Sequence, residues 1–163
     1  FYQNDVCDLD ALEEIFSKNK IEAVIHFAGY KAVGESVSKP IEYYQNNLMS
    51  TLVLTDLMRE YGCKKIVFSS SATVYGDPEV LPIKEDSILS TTNPYGATKL
   101  MVEDMLRDMA KADSSLNIAI LRYFNPVGAH SSGLIGEDPS DIPNNLMPYV
   151  VRVAAGILPE LSV

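Results

Sequence analysis

Lys65-Ile66-Val67-Phe68-Ser69-Ser70, followed further along by Asn93-Pro94-Tyr95-Gly96-Ala97-Thr98-Lys99, is the stretch that decides how this chain folds. Lys65–Ser70 is short and apolar at its centre, which predicts a strand buried in a parallel sheet. The Asn93-Pro94 pair predicts a helix start, because Asn93 can accept a bond from an orphan N–H and Pro94 has none to leave unpaired. That helix should show an apolar side of Met101, Val102, Met105, Leu106 and Met109 and end near Ala112-Asp113.

Working outward, the same alternation recurs. Two more apolar runs, Ala23–Ala28 and Ile118–Tyr123, read as strands. A helix capped by Asp8 should run through Leu12, Ile15 and Phe16, and a longer one should start at Pro40 and stop at Gly62. It would carry Tyr44, Leu48, Leu52, Leu57 and Met58. Strands alternating with helices at this spacing predict βαβ units and an α/β fold with a doubly wound parallel sheet, Rossmann-like in type. Gly76–Thr92 and Pro126–Pro143 are rich in Pro, Gly, Ser and Asp and read as loops over the carboxyl ends of the strands.

A chain of 163 residues with 47% hydrophobic content can bury a sizeable core. Its net charge of −9 and lack of any Lys/Arg block argue against nucleic acid or an anionic membrane as a partner. The two cysteines, Cys7 and Cys63, have no metal-like spacing and fit structural thiols in a reduced, cytoplasmic setting; no metal site is expected. The sequence begins mid-pattern at Phe1-Tyr2-Gln3 and stops inside Ile157-Leu158-Pro159-Glu160-Leu161, so it is expected to be a fragment.

Tyr95 and Lys99 stand four residues apart, which on a helix puts both side chains on one face. An ammonium beside a phenol favours the phenolate and lowers a pKa that starts near ~10. Such a tyrosine can take a hydroxyl proton at neutral pH while hydride leaves the same carbon. The pair would lie at the mouth of a helix, where α/β sheets place their sites. Taken alone, a Tyr-x-x-x-Lys pattern also describes an ordinary amphipathic helix. His26, inside a strand, reads as a satisfied core histidine, and Glu85-Asp86 as a solvated loop edge.

Several longer segments carry a narrower signal. They are Ile25-His26-Phe27-Ala28-Gly29, Lys31-Ala32-Val33-Gly34-Glu35-Ser36, Phe68 through Gly76 (with Ser71-Ala72-Thr73-Val74-Tyr75), Asn93-Pro94-Tyr95-Gly96 with Lys99, Leu121 through His130, and Pro143-Asn144-Asn145-Leu146-Met147-Pro148-Tyr149. In this order and spacing the chain resembles the UDP-glucose 4-epimerase (UDP-galactose 4-epimerase) family of the extended short-chain dehydrogenase/reductase superfamily, over essentially its whole length. The resemblance implies interconversion of UDP-galactose and UDP-glucose by transient NAD-dependent oxidation at C4 of the hexose, as in galactose metabolism. It implies a catalytic set of Tyr95, Lys99 and Ser71, with Tyr95 the base, Lys99 lowering its pKa and holding the nicotinamide ribose, and Ser71 bonded to the reacting hydroxyl and able to relay its proton. Asp8 and Leu9 would contact the adenine end of NAD, and Phe27, Ala28, Gly29, Lys31 and Asn47 would line its groove. Tyr123 and Phe124 would complete the cofactor site, with Ser71, Ala72, Thr73, Asn125, Asn144, Asn145 and Leu146 on the UDP-hexose. The resemblance further implies a homodimer formed through the helices at 40–61 and 94–112.

The same resemblance implies an incomplete fold. Residues 1–125 would be a partial dinucleotide-binding domain and 126–163 the start of the substrate-binding portion. Residues 1–7 would correspond to the third strand of the family's sheet and Leu161-Ser162-Val163 to the start of its seventh, the first two strands and the rest of the substrate domain being absent. No Gly-x-x-Gly-x-x-Gly turn is present, so the 163 residues are expected to be inactive by themselves. Three alternatives stay open. A nucleotide-sugar 4,6-dehydratase would need an acid and a base after the serine, where this chain has Ala72 and Thr73. A nucleotide-sugar decarboxylase needs only the 4-keto sugar, and a non-catalytic piece needs no chemistry at all.

Overall fold

The computed structural model describes residues 1–136, 143 and 145–162. The chain divides into two compact units, Phe1–Phe124 and Asn125–Val163. The first unit opens with α1 (Leu9–Lys18), capped as expected by Asp8, whose carboxylate accepts from the Ala11 N–H at 3.1 Å. There follow β1 (Val24–His26), a six-residue helix α2 (Val33–Ser38), the long α3 (Pro40–Glu60) and β2 (Lys65–Ser71). A 3₁₀ turn (Ala72–Tyr75), α4 (Pro94–Ala112) and β3 (Asn117–Tyr123) complete it. In the second unit α5 (Leu146–Ala154) is the one helix among the described residues.

The three strands form a parallel sheet in the order β1-β2-β3, with Val24 opposite Ile66 and Ile66 opposite Ile118. This is an incomplete doubly wound sheet. Its register puts His26, Ile66, Phe68, Ser70, Ile120 and Arg122 on one face and Ile25, Val67, Ser71, Leu121 and Tyr123 on the other. The first face is buried. Ile66 and Phe68 join Leu12 and Phe16 of α1, Val53, Leu54, Leu57 and Met58 of α3, and Val102 and Leu106 of α4 in one apolar core. The opposite face is open among the described residues, with Ile25 65% exposed. No helix among the described residues is long and apolar enough to cross a membrane.

Three expectations are corrected. Residues 1–7 form no strand: a ladder needs a neighbour, and here the segment instead turns, with the Asp8 N–H on the Asp5 carbonyl and the Cys7 N–H on the Asp5 carboxylate. Leu161 and Ser162 are likewise unpaired, and Val163 lies outside the described residues. The expected apolar side of α4 holds at Val102 and Leu106, which are buried, and at Met109, which packs against the core, but Met101 is exposed and the polar Thr98, Lys99 and Glu103 are buried on the same helix with Tyr95.

Candidate active site

At the carboxyl end of β2, Ser71 keeps extended dihedrals and turns its side chain back over the 3₁₀ turn. Its Oγ accepts from the Thr73 N–H at 3.2 Å and from the Thr73 hydroxyl at 3.0 Å. The next element to arrive is the mouth of α4. Asn93 caps it, accepting from the Gly96 N–H at 2.8 Å, with Pro94 in the first turn. Gly96 allows the close approach: a Cβ there would sit 3.0 Å from the Thr73 carbonyl oxygen and 3.3 Å from its hydroxyl. A side chain at position 96 would crowd Thr73 and require the turn or α4 to give by a few tenths of an ångström, so Gly96 lets the mouth of α4 sit close against the turn that follows β2.

Lys99 is one helical turn further in and only 6% exposed. Its Nζ donates to the Ser69 carbonyl at 2.8 Å and lies 4.9 Å from the centroid of Phe68 and 5.8 Å from that of Tyr95. Burial pushes its pKa down to about 8, so at neutral pH it is an ammonium held beside two aromatic rings. Tyr95 itself is 9% exposed. Tyr123 stands directly opposite Ser71 in the β2–β3 register, with Phe124 exposed just beyond it.

The loop after β1 forms a second flank. Phe27, Ala28 and Lys31 are exposed, and Gly29 takes φ +151°, a conformation that favours glycine. Asn47 of α3 holds this loop by both ends of its amide. Its Oδ1 accepts from the Tyr30 N–H at 2.8 Å and its Nδ2 donates to the Tyr30 carbonyl at 3.1 Å. The remaining capacity goes to the Asn46 side chain at 2.9 Å and Thr98 of α4 at 3.0 Å. Asn47, expected to line the cofactor groove, stands against Gly29 with all four of its hydrogen-bonding positions engaged inside the protein. It ties the Gly29–Tyr30 loop to the helix of Tyr95 and Lys99. Asp8 and Leu9 are exposed at the start of α1, close to this clamp, since the Cys7 thiol lies 3.5 Å from the Asn46 carbonyl.

The remaining expected residues belong to the second unit. Asn125 is exposed; Asn145 precedes α5 without a side-chain cap bond, and Leu146, the first residue of α5, is exposed. Asn144 lies outside the described residues. His26 is a core histidine as read, 3.0 Å from the Thr51 hydroxyl, and burial lowers its pKa to about 4.

A buried charged node went unread in the sequence. Glu103, fully buried on α4, accepts from Ser70 at 2.5 Å, from Arg122 at 2.7 Å and from Arg107 at 2.5 Å. Arg122 also donates to the Tyr75 hydroxyl at 2.9 Å and to the Glu85 carbonyl at 3.1 Å. Burial alone would raise the Glu103 pKa, but the bonds from Arg122, Ser70 and Arg107 outweigh it and hold the carboxyl below its ordinary value. The sequence signal was a glutamate beside Val102 and one turn before Leu106, on a face that otherwise packs inward.

Residues 1–160 match the NAD dependent epimerase/dehydratase family. The UDP-glucose 4-epimerase of Bacillus subtilis is 63% identical over 163 residues, which cover 100% of this chain and 48% of that protein. UDP-glucose 4-epimerase 2 of Arabidopsis thaliana is 60% identical over 163 residues, again all of this chain and 47% of the relative. Among solved structures, the Bifidobacterium longum UDP-glucose 4-epimerase in complex with NAD⁺ and UDP aligns with a TM-score of 0.90 at 61% identity, covering 98% of this chain and 48% of that one. The chain thus spans about half the length of the curated relatives it matches. With a parallel sheet, a capped helix bearing Tyr95 and Lys99, and a match over nearly its whole length, this chain belongs to the NAD dependent epimerase/dehydratase family.

Proposed function

We propose that this chain is part of an NAD-dependent UDP-glucose 4-epimerase that interconverts UDP-galactose and UDP-glucose by transient oxidation at C4 of the hexose. The observation that carries the reading is the buried Lys99 ammonium, anchored on the Ser69 carbonyl and 5.8 Å from the Tyr95 ring, at the strand end that bears Ser71. Tyr95 takes the C4 hydroxyl proton, Lys99 stabilises the phenolate, and Ser71 bonds the same hydroxyl. NAD⁺, when bound, supplies the hydride acceptor and returns the hydride. The residues present fit one side of such a dinucleotide: the exposed Phe27-Ala28 and Lys31, the side-chain-free Gly29 fixed by Asn47, and Asp8-Leu9 near the same clamp.

Lys99, Tyr123 and Phe124 hold the nicotinamide end, while Ala72, Thr73, Asn125, Asn144, Asn145 and Leu146 meet the UDP-hexose. Residues 1–125 serve as the dinucleotide-binding portion and 126–163 as the start of the substrate-binding portion. Galactose metabolism in the cytoplasm is the setting this activity fits. Homodimerisation through the outer sides of α3 and α4 is supported by Met49, Leu52 and Met101, all close to half exposed. A 4,6-dehydratase is disfavoured because Ala72 and Thr73 supply neither an acid nor a base for loss of water.

The test is conversion of UDP-galactose to UDP-glucose by the protein at the length of its relatives, next to the 163 residues alone. Turnover is expected from the former and little from the latter. No epimerisation by the longer protein would overturn the reading. Tyr95→Phe keeps the ring and removes the ionisable oxygen, and should lower kcat by roughly 10²–10⁴-fold. A loss of only a few-fold would remove Tyr95 as the base.

A further inference from the structure

A buried ammonium has three donors to satisfy and a charge to offset, or it gives up its proton. Lys99 is 6% exposed, and no carboxylate pairs with it among the described residues. Glu103, one turn further along α4, is spent on Ser70, Arg122 and Arg107. Among the described residues one protein oxygen bonds to Nζ, the Ser69 carbonyl at 2.8 Å. Its other neighbours are aromatic. Nζ stands over the Phe68 ring, 4.9 Å from the centroid, with the Tyr95 ring at 5.8 Å, both within the distance at which a ring attracts a cation. Phe68 is itself locked. It is buried in β2, and His26 lies opposite it in the β1–β2 register with ring centroids 5.7 Å apart. His26 is tied to the Thr51 hydroxyl of α3 at 3.0 Å, and burial lowers its pKa to about 4, so no second cation competes for the ring.

We propose that Phe68 is a positioning residue whose ring face is a cation–π seat, holding the Lys99 ammonium charged beside Tyr95 in place of a carboxylate. The consequence for the reaction rests on the epimerase reading above. A phenolate on Tyr95 needs its neighbouring lysine as a cation. A carboxylate at the seat would cancel much of that cation's pull on the phenol. A ring offers a negative face with no net charge, so it retains the ammonium and leaves its field for Tyr95.

Phe68 also belongs to the apolar core, so ring electrostatics must be separated from packing. Phenylalanines carrying one, two or three ring fluorines at position 68 nearly keep the shape and weaken the negative face in steps. In the protein at the length of its relatives, the Lys99 pKa is read from the ¹³Cε shift of labelled lysine, assigned with Lys99→Met. It should fall with each fluorine, by about one unit at three, which is about tenfold in the protonation equilibrium. The alkaline limb of kcat for UDP-galactose should move down with it. Phe68→Leu keeps an apolar side chain, removes the face and should lower the pKa by a similar amount. A pKa that stays constant or rises across the fluorinated series would overturn the proposal, whatever happens to Tm, because packing alone would then account for residue 68. If the longer protein fails to convert UDP-galactose, the epimerase reading falls, while the Lys99 titration still judges the seat.

Discussion

Replacing Glu103 with glutamine should destabilise the fold far more than its near-identical shape implies. The carboxylate is fully buried and receives charge-assisted bonds from Ser70 on β2, Arg122 on β3 and Arg107 on its own helix. In Glu103→Gln the side chain is a neutral amide, and its one oxygen cannot serve all three donors. Its NH₂ group would face a donor whichever way the amide turns. The Arg122 side chain is 13% exposed, so the variant leaves a mostly buried guanidinium without its counter-charge. Removing one partner of a buried pair costs about 3–5 kcal/mol. In a chain of this size each kcal/mol lowers Tm by roughly 2–4 °C, so a fall of about 6–20 °C is expected at pH 7. Adding Arg122→Met to Glu103→Gln should return part of that loss, because the second change removes the stranded charge.

The sign of the pH dependence follows from the direction of the shift. The folded-state pKa of Glu103 lies below its ordinary value, so its stabilisation is complete above the unfolded value near ~4.3 and disappears as pH falls through the folded pKa. The gap in unfolding midpoint between wild type and Glu103→Gln should therefore be widest at neutral pH and narrow in acid. Thermal unfolding followed by circular dichroism from pH 3 to 8 measures both effects. A neutral-pH difference under about 1 kcal/mol, or a gap that stays constant into acid, would mean that the node is not the electrostatic anchor described.

Two further outcomes follow from single side chains. Gly76 sits at φ 57° and ψ −130°, and a Cβ there would fall 1.6 Å from the Ser90 carbonyl oxygen, on a strand of loop pinned by the Ser90 N–H bond to the Val74 carbonyl. Gly76→Ala should lower stability by at least about 2 kcal/mol in urea unfolding, and an unchanged midpoint would show that the loop relaxes freely. Lys99 has a folded pKa of about 8 against ~10.4 when unfolded, so between these values the unfolded chain binds more protons and stability rises with pH. The wild-type-minus-Lys99→Met difference in Tm should therefore increase from pH 8 to 10, and a flat difference would contradict the burial of this ammonium.

Local signals were legible in the sequence. Asp8 and Asn93 have short polar side chains placed to bond the N–H groups two or three residues on, and each caps its helix as read. The apolar runs became β2 and β3 within a residue of their expected ends. What escaped was of two kinds. The six-residue α2 has no side-chain cap and carries Gly34 in its first turn, so its sequence looks like loop. The first helix of the second unit, α5, was hidden inside a motif read for its asparagines, although Pro148 at its third position is compatible with a first turn. The second kind was long-range polar pairing. Nothing in residues 47 and 98, or 103 and 122, announces that they meet, because periodicity reports which side of an element is apolar and not which polar group waits opposite.

That blind spot explains why the polar residues on the inner side of α4 went unread beside Val102 and Leu106. A helix packed by apolar side chains alone, methionines among them, can slide or rotate by repacking, since thioether chains are adaptable. The observed inner face gives two consecutive turns directional anchors on α3, β2 and β3. Thr98 is bonded to Asn47 of α3, Lys99 to the Ser69 carbonyl of β2, and Glu103 to Ser70 of β2 and Arg122 of β3. Rotating α4 far enough to move the Tyr95 oxygen would stretch all three, two of which involve buried charges that water cannot re-solvate. In the epimerase reading proposed above, a phenol that exchanges a proton at a fixed distance from a ligand gains from such a mount, because misplacement by about an ångström can cost on the order of 10²-fold in rate. The polar residues that break the helix's apolar pattern are thus the ones that fix α4, and Tyr95 with it, against α3, β2 and β3.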